Sequence, residues 1–197
     1  MMATSRFHWE SHVLNLQIIS TASLICHVFT SVTDIIFGIS YNQPTCYLPP
    51  LITHLTFGWS YDQPTDHLPT TITHLTFGFD YNQKTDHLPP SITHLTFDDM
   101  YKHASNNLQP HIKYLQFGIN YDQPIDHLPP YLQTFNIRLS YIRNNNYLVY
   151  KDQLLNCSYL TATNIYDSDI IIHAHNNEYN LEMKALMLIQ HCLLVID

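Results

Sequence analysis

The clearest signal in this chain lies in residues 72–91, which read ITHLTFGFDYNQKTDHLPPS. A closely similar unit of the same length precedes it at 52–71, and a more divergent one follows at 92–111. Tyrosines keep the same spacing along the array, at Tyr41, Tyr61, Tyr81, Tyr101, Tyr121 and Tyr141. A fixed period of 20 residues indicates that each unit packs on its neighbours and shares a continuous core with them, so we predict a stacked tandem repeat.

Each unit contains one predicted β-strand. Leu75 and Phe77 alternate with the polar residues His74 and Thr76, which is the period of a half-buried strand, and Ile72 completes an apolar triplet. The triplet recurs as Val32/Ile35/Phe37, Ile52/Leu55/Phe57, Ile92/Leu95/Phe97, Ile112/Leu115/Phe117 and Leu132/Phe135/Ile137. One strand per unit, joined by short turns, predicts parallel strands stacked roughly 4.8 Å apart.

The residues between the strands predict turns rather than helices. Gly78 permits a turn or a close approach between layers. The Leu88-Pro89 step fixes φ and lacks an amide donor, so the return segment should be extended or turn-like. Asn82 and Gln83 belong to a recurring polar pair that we expect to form a ladder of side-chain amides between layers. The tyrosine beside each pair is expected in the core, with its hydroxyl on a polar partner.

The stretch from Ile72 to Gly78, followed by Tyr81-Asn82-Gln83 and Leu88-Pro89, resembles the FNIP repeat, a relative of leucine-rich repeats that is abundant in social amoebae and in giant viruses of amoebae. The resemblance covers roughly residues 28–148. It implies a β-rich, leucine-rich-repeat-like solenoid used for protein–protein contact. In some members of the family an N-terminal F-box links the repeats to a ubiquitin ligase, but residues 1–31 are short for an F-box and lack a Leu-Pro start.

The chain divides into three predicted parts. Residues 1–27 are expected to form an N-terminal cap that is partly helical, and residues 28–148 to form about six repeats. Residues 149–197 are expected to hold a degenerate repeat, in which Leu154/Cys157/Tyr159 restores the triplet spacing, and a further strand at 169–175. Residues 178–195 carry apolar side chains at helical spacing and are predicted to form a C-terminal capping helix that protects the last strand, or alternatively a dimer contact.

Composition narrows the classes of partner. Only 12% of residues are charged and the formal net charge is −8, without a basic cluster, so a nucleic-acid partner is not expected. The apolar stretch 13–29 is interrupted by polar residues, which disfavours a membrane span or a targeting signal. Four cysteines without CxxC spacing, Cys26, Cys46, Cys157 and Cys192, are expected to be reduced thiols of a cytoplasmic protein, in the host cytoplasm if the protein is viral.

The alternation that buries Leu75 and Phe77 turns the residues between them to the opposite face, which we call the strand face. Its candidate partner-binding residues are His54, Thr56, His74, Thr76, His94, Thr96, Tyr114, Gln116, Thr134 and Asn136. In horseshoe-shaped repeats the strand face is the concave binding surface. The alternative is a solvated polar face copied by duplication. Imidazoles stacked about 5 Å apart should resist simultaneous protonation, so we expect the pKa values of the stack to be lowered.

A second candidate region is the divergent unit at 98–109, where Asp98, Asp99, Lys102 and His103 replace the usual glycine, apolar residue, Asn/Asp and glutamine. A divergent copy in a uniform array can make contacts that are specific for one partner. Alternatively, it has arisen by drift. An aspartate precedes each of His67, His87 and His127, and such recurring Asp-His pairs could bind a transition metal. We favour a turn there, because metal sites need converging ligands and a column provides parallel ones.

The sequence thus predicts a non-catalytic protein, without cofactor or metal, that binds another protein through the strand face. One alternative is a ligase adaptor with an atypical N-terminus, in which residues 1–31 recruit a ligase subunit. A second is a hydrolase or metal enzyme built around His173, His175 and Glu178. No GxSxG elbow or glycine-rich phosphate loop supports an enzyme.

Overall fold

The structure is a computed structural model that describes residues 15–18, 32–45, 48–125, 127–138, 159–163 and 169–173. Within these ranges the chain forms nine strands, β1 Asn15–Ile18, β2 Asp34–Phe37, β3 His54–Thr56, β4 His74–Thr76, β5 His94–Thr96, β6 Tyr114–Gln116, β7 Thr134–Arg138, β8 Tyr159–Thr163 and β9 Asp169–His173. A single 3-10 helix, Ser105–Asn107, lies between β5 and β6 in this part of the chain. None of these elements is a helix with the length and apolar character that a bilayer crossing needs.

The strands form one sheet in chain order, from β1 to β9. All neighbouring pairs from β1 to β8 are parallel, and β9 alone is antiparallel to its neighbour. From β2 to β7 each residue pairs with the one 20 positions further on, as in His54 with His74. Each repeat is therefore one layer of a β-solenoid with one parallel strand, which confirms the predicted fold class.

The ends of the sheet depart from the regular spacing. At the C-terminal end the register aligns Phe135 with Leu160, 25 residues on, because the connection after β7 is longer. The predicted triplet Leu154/Cys157/Tyr159 was therefore wrong in register, since Leu160 and not Cys157 pairs with Phe135. The predicted strand at 169–175 is present over its described residues as β9, Asp169–His173. Within the predicted N-terminal cap, residues 15–18 form β1, while the rest of that cap and the predicted helix at 178–195 lie outside the described residues.

Aromatic columns run through the core of the solenoid. Phe57, Phe77 and Phe97 stack with ring centroids 5.6 and 5.4 Å apart, and each phenylalanine also stacks on the tyrosine of its own layer, at 3.7 Å for Phe77 and Tyr81. The tyrosines form a parallel column, with Tyr61 and Tyr81 centroids 6.1 Å apart. These side chains are buried, as predicted, so the layers share one continuous core.

The turn after each strand brings backbones of adjacent layers very close. A Cβ atom built on Gly78 would lie 2.1 Å from the Gly58 carbonyl oxygen, and one on Gly58 would lie 2.1 Å from the Gly38 oxygen. The glycine is therefore required for the close approach between layers. On the return side, the Ile72 amide donates to the Pro69 carbonyl oxygen at 3.2 Å, which is the predicted turn at the Leu-Pro step.

The polar ladder beside the tyrosines forms as predicted. The Asp62 carboxylate accepts hydrogen bonds from the Asn82 amide N–H and the Gln83 side chain, both at 2.9 Å. One layer earlier, Asn42 accepts from the Asp62 amide N–H at 3.0 Å, and the Asn82 side chain accepts from the Lys102 amide N–H at 3.0 Å. Each layer thus satisfies backbone donors of the next layer, so the ladder is structural.

Candidate interaction face

The strand face consists of two side-chain columns that alternate with the buried core. The first is a histidine column in which the His54 and His74 ring centroids are 4.1 Å apart, as are those of His74 and His94. The second is a threonine column at Thr56, Thr76 and Thr96. All ten predicted residues of the strand face are half-buried or exposed, so the alternation inferred from the sequence places them on the accessible side of the sheet.

Threonines that the sequence interpretation overlooked orient the imidazoles. The Thr73 hydroxyl donates to the Thr53 carbonyl oxygen at 3.2 Å and lies 2.8 Å from His74 Nδ1. A hydroxyl has one proton, so when the carbonyl takes it, Nδ1 must be the donor in its contact with the hydroxyl. We infer that the neutral ring carries its proton on Nδ1 and leaves Nε2 as an acceptor. Thr93 makes the same two contacts in the next layer.

The surroundings of His74 and His94 favour the neutral imidazole. Partial burial lowers the pKa of the His74 imidazole, the neighbouring imidazoles of His94 and His54 lower it further, and Asp34 opposes the shift. The pKa of His94 is lowered by partial burial and by the positive charge of Lys113. The predicted direction of the pKa shift is confirmed for both residues. At one end of the column, the Asp34 carboxylate lies 3.6 Å from His54 Nδ1.

Further along the face, the column changes to amides and a phenol. Asn136 donates to the Tyr114 hydroxyl oxygen at 2.8 Å, and the Tyr114 hydroxyl donates to Gln116 Oε1 at 2.7 Å. Partial burial raises the pKa of Tyr114. The face therefore runs from an acidic end at Asp34, through neutral imidazoles, to a hydrogen-bonded amide and phenol cluster, with Thr134 beside it.

Several side chains of the divergent unit form hydrogen bonds with the preceding layer. His103 Nε2 lies 2.8 Å from the Asn82 carbonyl oxygen, in the position that glutamine has in other layers. Asn107 donates to Asp86 at 2.7 Å and Gln109 to the Leu88 carbonyl oxygen at 3.1 Å. Lys102 is exposed. Burial raises the pKa of Asp98, whose carboxylate accepts from the Asp99 amide N–H at 2.8 Å.

The Asp-His column is a turn in the layers where both residues are described. Asp66-His67 and Asp86-His87 are exposed turn residues. In the described part of the chain, no three His, Cys, Asp or Glu side chains converge as a metal site requires. Asp126 lies outside the described residues, and the side chains of the His173, His175 and Glu178 hypothesis do as well.

Comparison with known proteins agrees with the repeat geometry. Residues 41–80, two consecutive units, match the model of the FNIP repeat. Among solved structures, the chain is similar to CroV588, described as a novel circular leucine-rich-repeat protein, with 36% sequence identity and a TM-score of 0.50. The match covers 56% of this chain and 19% of CroV588, so the chain spans about a fifth of that protein. No curated protein matches the chain.

The resemblance to FNIP and leucine-rich repeats inferred from the sequence is thus confirmed. FNIP repeats and leucine-rich-repeat solenoids are scaffold-type folds and not catalytic ones, and the described repeats have this kind of fold. The ligase-adaptor alternative depends on residues 1–31, of which few are described, and it stays a prediction.

Proposed function

We propose that this protein is a non-catalytic scaffold that binds another protein through the strand face. The observation that carries the proposal is the histidine column, in which imidazoles held by threonines repeat in register on the accessible side of the sheet. Neutral imidazoles with an acceptor nitrogen suit a partner that presents hydrogen-bond donors at regular intervals, as an extended segment or a second repeat surface does. The net charge of −8 supports a protein rather than a nucleic-acid partner.

The proposal is tested by removing the rings while keeping the fold. The triple variant His54→Ser, His74→Ser, His94→Ser removes the column but leaves small polar side chains on an accessible face. The matched control, His67→Gln with His87→Gln and His127→Gln, removes three histidines from the exposed turns. Wild type and both variants are used for quantitative affinity purification from the native host cell.

A protein that is captured by the wild type and the control, and is lost with the strand-face variant, supports the proposal. Its affinity for the purified variants is then measured by calorimetry, and we expect a loss of at least tenfold for the strand-face variant alone. Equal capture by all three proteins would contradict binding through this face.

A further inference from the structure

A second column, of exposed and half-buried side chains, runs along the turns that follow the strands. It holds Ile39, Trp59, Phe79, Asp99 and Ile119, one residue per layer. As far as Met100 the turns stack in register, since the Asp80 amide N–H donates to the Trp59 carbonyl oxygen at 2.9 Å and the Met100 amide N–H donates to the Phe79 oxygen at 3.1 Å. Its apolar members Ile39, Trp59 and Ile119 are exposed, and contiguous exposed apolar side chains mark interaction sites in many proteins.

The column is interrupted at one layer. Trp59 and Phe79 stack with ring centroids 4.3 Å apart, and Trp59 is 53% exposed. In the next layer the side chain is the short Asp99, whose carboxylate accepts from the Ile119 amide N–H at 2.8 Å and so lies against the backbone. Ile119, one layer further, is 47% exposed. Phe79 and Ile119 lie two layers apart, roughly 10 Å at the spacing of paired strands, and the layer between them holds only the short Asp99 side chain; we call this position the Asp99 gap.

The chemistry of this Asp99 gap is that of a cation site. In the stacked turns Asp99 follows an aromatic layer at Phe79 and precedes an aliphatic layer at Ile119, and the neighbouring Asp98 adds a second carboxylate. Among the described residues, neither carboxylate forms a salt bridge with a lysine or arginine. A planar cation fits a gap of this width because it can stack on the ring and donate to a carboxylate at once, as a guanidinium does.

We propose that the Asp99 gap binds an arginine side chain of a partner protein, with the guanidinium stacked on Phe79 and hydrogen-bonded to Asp99. The net charge of −8 favours such a partner over an acidic one. The proposal depends on the proposed scaffold role only for the origin of the arginine. It names a contact away from the strand face, so the two can fail separately.

The test is an NMR titration of the full chain with the peptide Ac-Gly-Arg-Gly-NH2. We expect saturable shifts of the Asp99 and Ile119 amides and of the Phe79 ring. The same peptide with citrulline, which keeps the planar group but lacks the charge, should cause no saturable shift. The lysine peptide should bind several-fold more weakly, because its ammonium is a point charge without a stacking plane.

Two variants locate the contact. Asp99→Asn keeps the size of the side chain and an acceptor for the Ile119 amide N–H but removes the charge, and we expect about tenfold weaker binding. Asp99→Phe fills the gap with the type of side chain that the neighbouring layers have and should abolish binding. The matched control Asp66→Asn removes an exposed carboxylate from another turn and should leave the affinity unchanged.

The proposal is overturned if the arginine peptide gives no saturable shift at these amides, or if the citrulline or lysine peptide binds as tightly. It is also overturned if Asp99→Asn binds like the wild type. The peptide titrations need no variant, so they decide the matter even if a substitution prevents folding. Loss of strand-face capture with intact peptide binding would reject the proposed function and not this site.

Discussion

Single hydroxyl groups connect one layer of the solenoid to the next. The Tyr101 hydroxyl lies 2.8 Å from Thr85 Oγ1 in the preceding layer, and both side chains are buried. Burial raises the pKa of Tyr101 to about 12, although the contact with Thr85 works in the opposite direction. Tyr81 makes the equivalent contact with Thr65 at 3.2 Å. A buried column of hydroxyls therefore runs beside the aromatic core, at Thr45, Thr65, Thr85 and Ser105.

Replacing Thr85 with valine keeps the shape of this side chain but removes the partner of a buried phenol. We expect Thr85→Val to lower the free energy of unfolding by about 1–3 kcal/mol, because the Tyr101 hydroxyl then stays buried without its hydrogen bond. Urea denaturation measures the change. Thr56→Val, the same substitution on the accessible strand face, should change the stability by less than about 0.5 kcal/mol. Equal effects of both substitutions would contradict a role for the hydroxyl column.

The histidine column should make stability depend on pH. The pKa values of His74 and His94 are lowered in the folded protein, so the unfolded chain binds more protons as the pH falls below about 6.5. Stability due to these residues is therefore present at higher pH and decreases as the pH falls through the window below about 6.5. Compared between about pH 7.5 and 5.5, the double variant His74→Gln, His94→Gln should lose less stability than the wild type.

Denaturant titrations at both pH values measure this difference, and NMR titration reports the two imidazoles directly. An equal loss of stability in wild type and double variant would show that the column does not carry the pH dependence. Raised pKa values for His74 and His94 would contradict the stacked geometry itself.

At the scale of the repeat, each strand of only three residues is stabilised by the turns on either side of it. Each of β3 to β6 is short, and the turns on both sides repeat the same contacts between layers. The tightest of these is at the glycine, where the Gly78 Cα approaches the Gly58 backbone. Asp98 stands at the equivalent position one layer on, and the turn there keeps the same hydrogen bond, from the Tyr101 amide to the Asp98 carbonyl oxygen at 3.4 Å.

We expect Gly78→Ala to be strongly destabilising. The added methyl group would lie 2.1 Å from the Gly58 carbonyl oxygen, and a backbone atom cannot move aside without shifting its layer. A cost of about 3 kcal/mol or more follows, at the upper end of the range for overpacked sites. Asp80→Ala, in the same turn, is the control and should have a small effect on the thermal unfolding midpoint. Similar midpoints for both variants would mean that the layers are not in close contact.

At the scale of the molecule, each layer contacts only its neighbours. Stability then depends on position, because a central layer is supported on two sides and a terminal layer on one. Local opening should be rarest in the middle of the array. The regular part from β2 to β7 is where this behaviour is expected, since its register is constant.

Hydrogen exchange tests this dependence on position. We expect the slowest amide exchange in β4 and β5, and faster exchange toward β2 and β7, which lie nearer the two ends of the sheet. Phe77→Ala, which removes a central ring of the core at a cost of about 3–5 kcal/mol, should accelerate exchange in β3, β4 and β5 together. Phe37→Ala, at the beginning of the regular part, should act mainly on β2. Uniform acceleration by both substitutions would indicate that the array unfolds as one unit.

Most of the regular architecture could be predicted from the sequence because repetition makes the same signal visible several times. The strand at His74–Thr76, the glycine contact and the stacking of His74 all follow from period and alternation. The hydroxyl column was missed although Thr65 and Thr85 recur at the same period, because threonine fits a solvated turn as well as a buried one. Its burial depends on the tyrosine of the next layer, which is a contact between units.

The register at the C-terminal end could not be predicted for a similar reason. The pairing of Phe135 with Leu160 depends on how long a connection the chain uses after β7, and short apolar patterns fit several registers. The Asp99 gap was also not apparent, since its significance comes from Phe79 and Ile119 on either side. Where a site consists of a missing side chain between layers, the sequence indicates the substitution but not the space that it leaves.

The uniform register of β3, β4 and β5 bears on how the gene can change. Each presents His-Leu-Thr to its neighbour, so loss or gain of one whole unit by recombination joins surfaces that already fit. A length change of any other size must be absorbed in a connection, as happens between β7 and β8, because a slip by an odd number of residues would exchange the faces of every later side chain. The number of repeats can thus change without a rearrangement of the core.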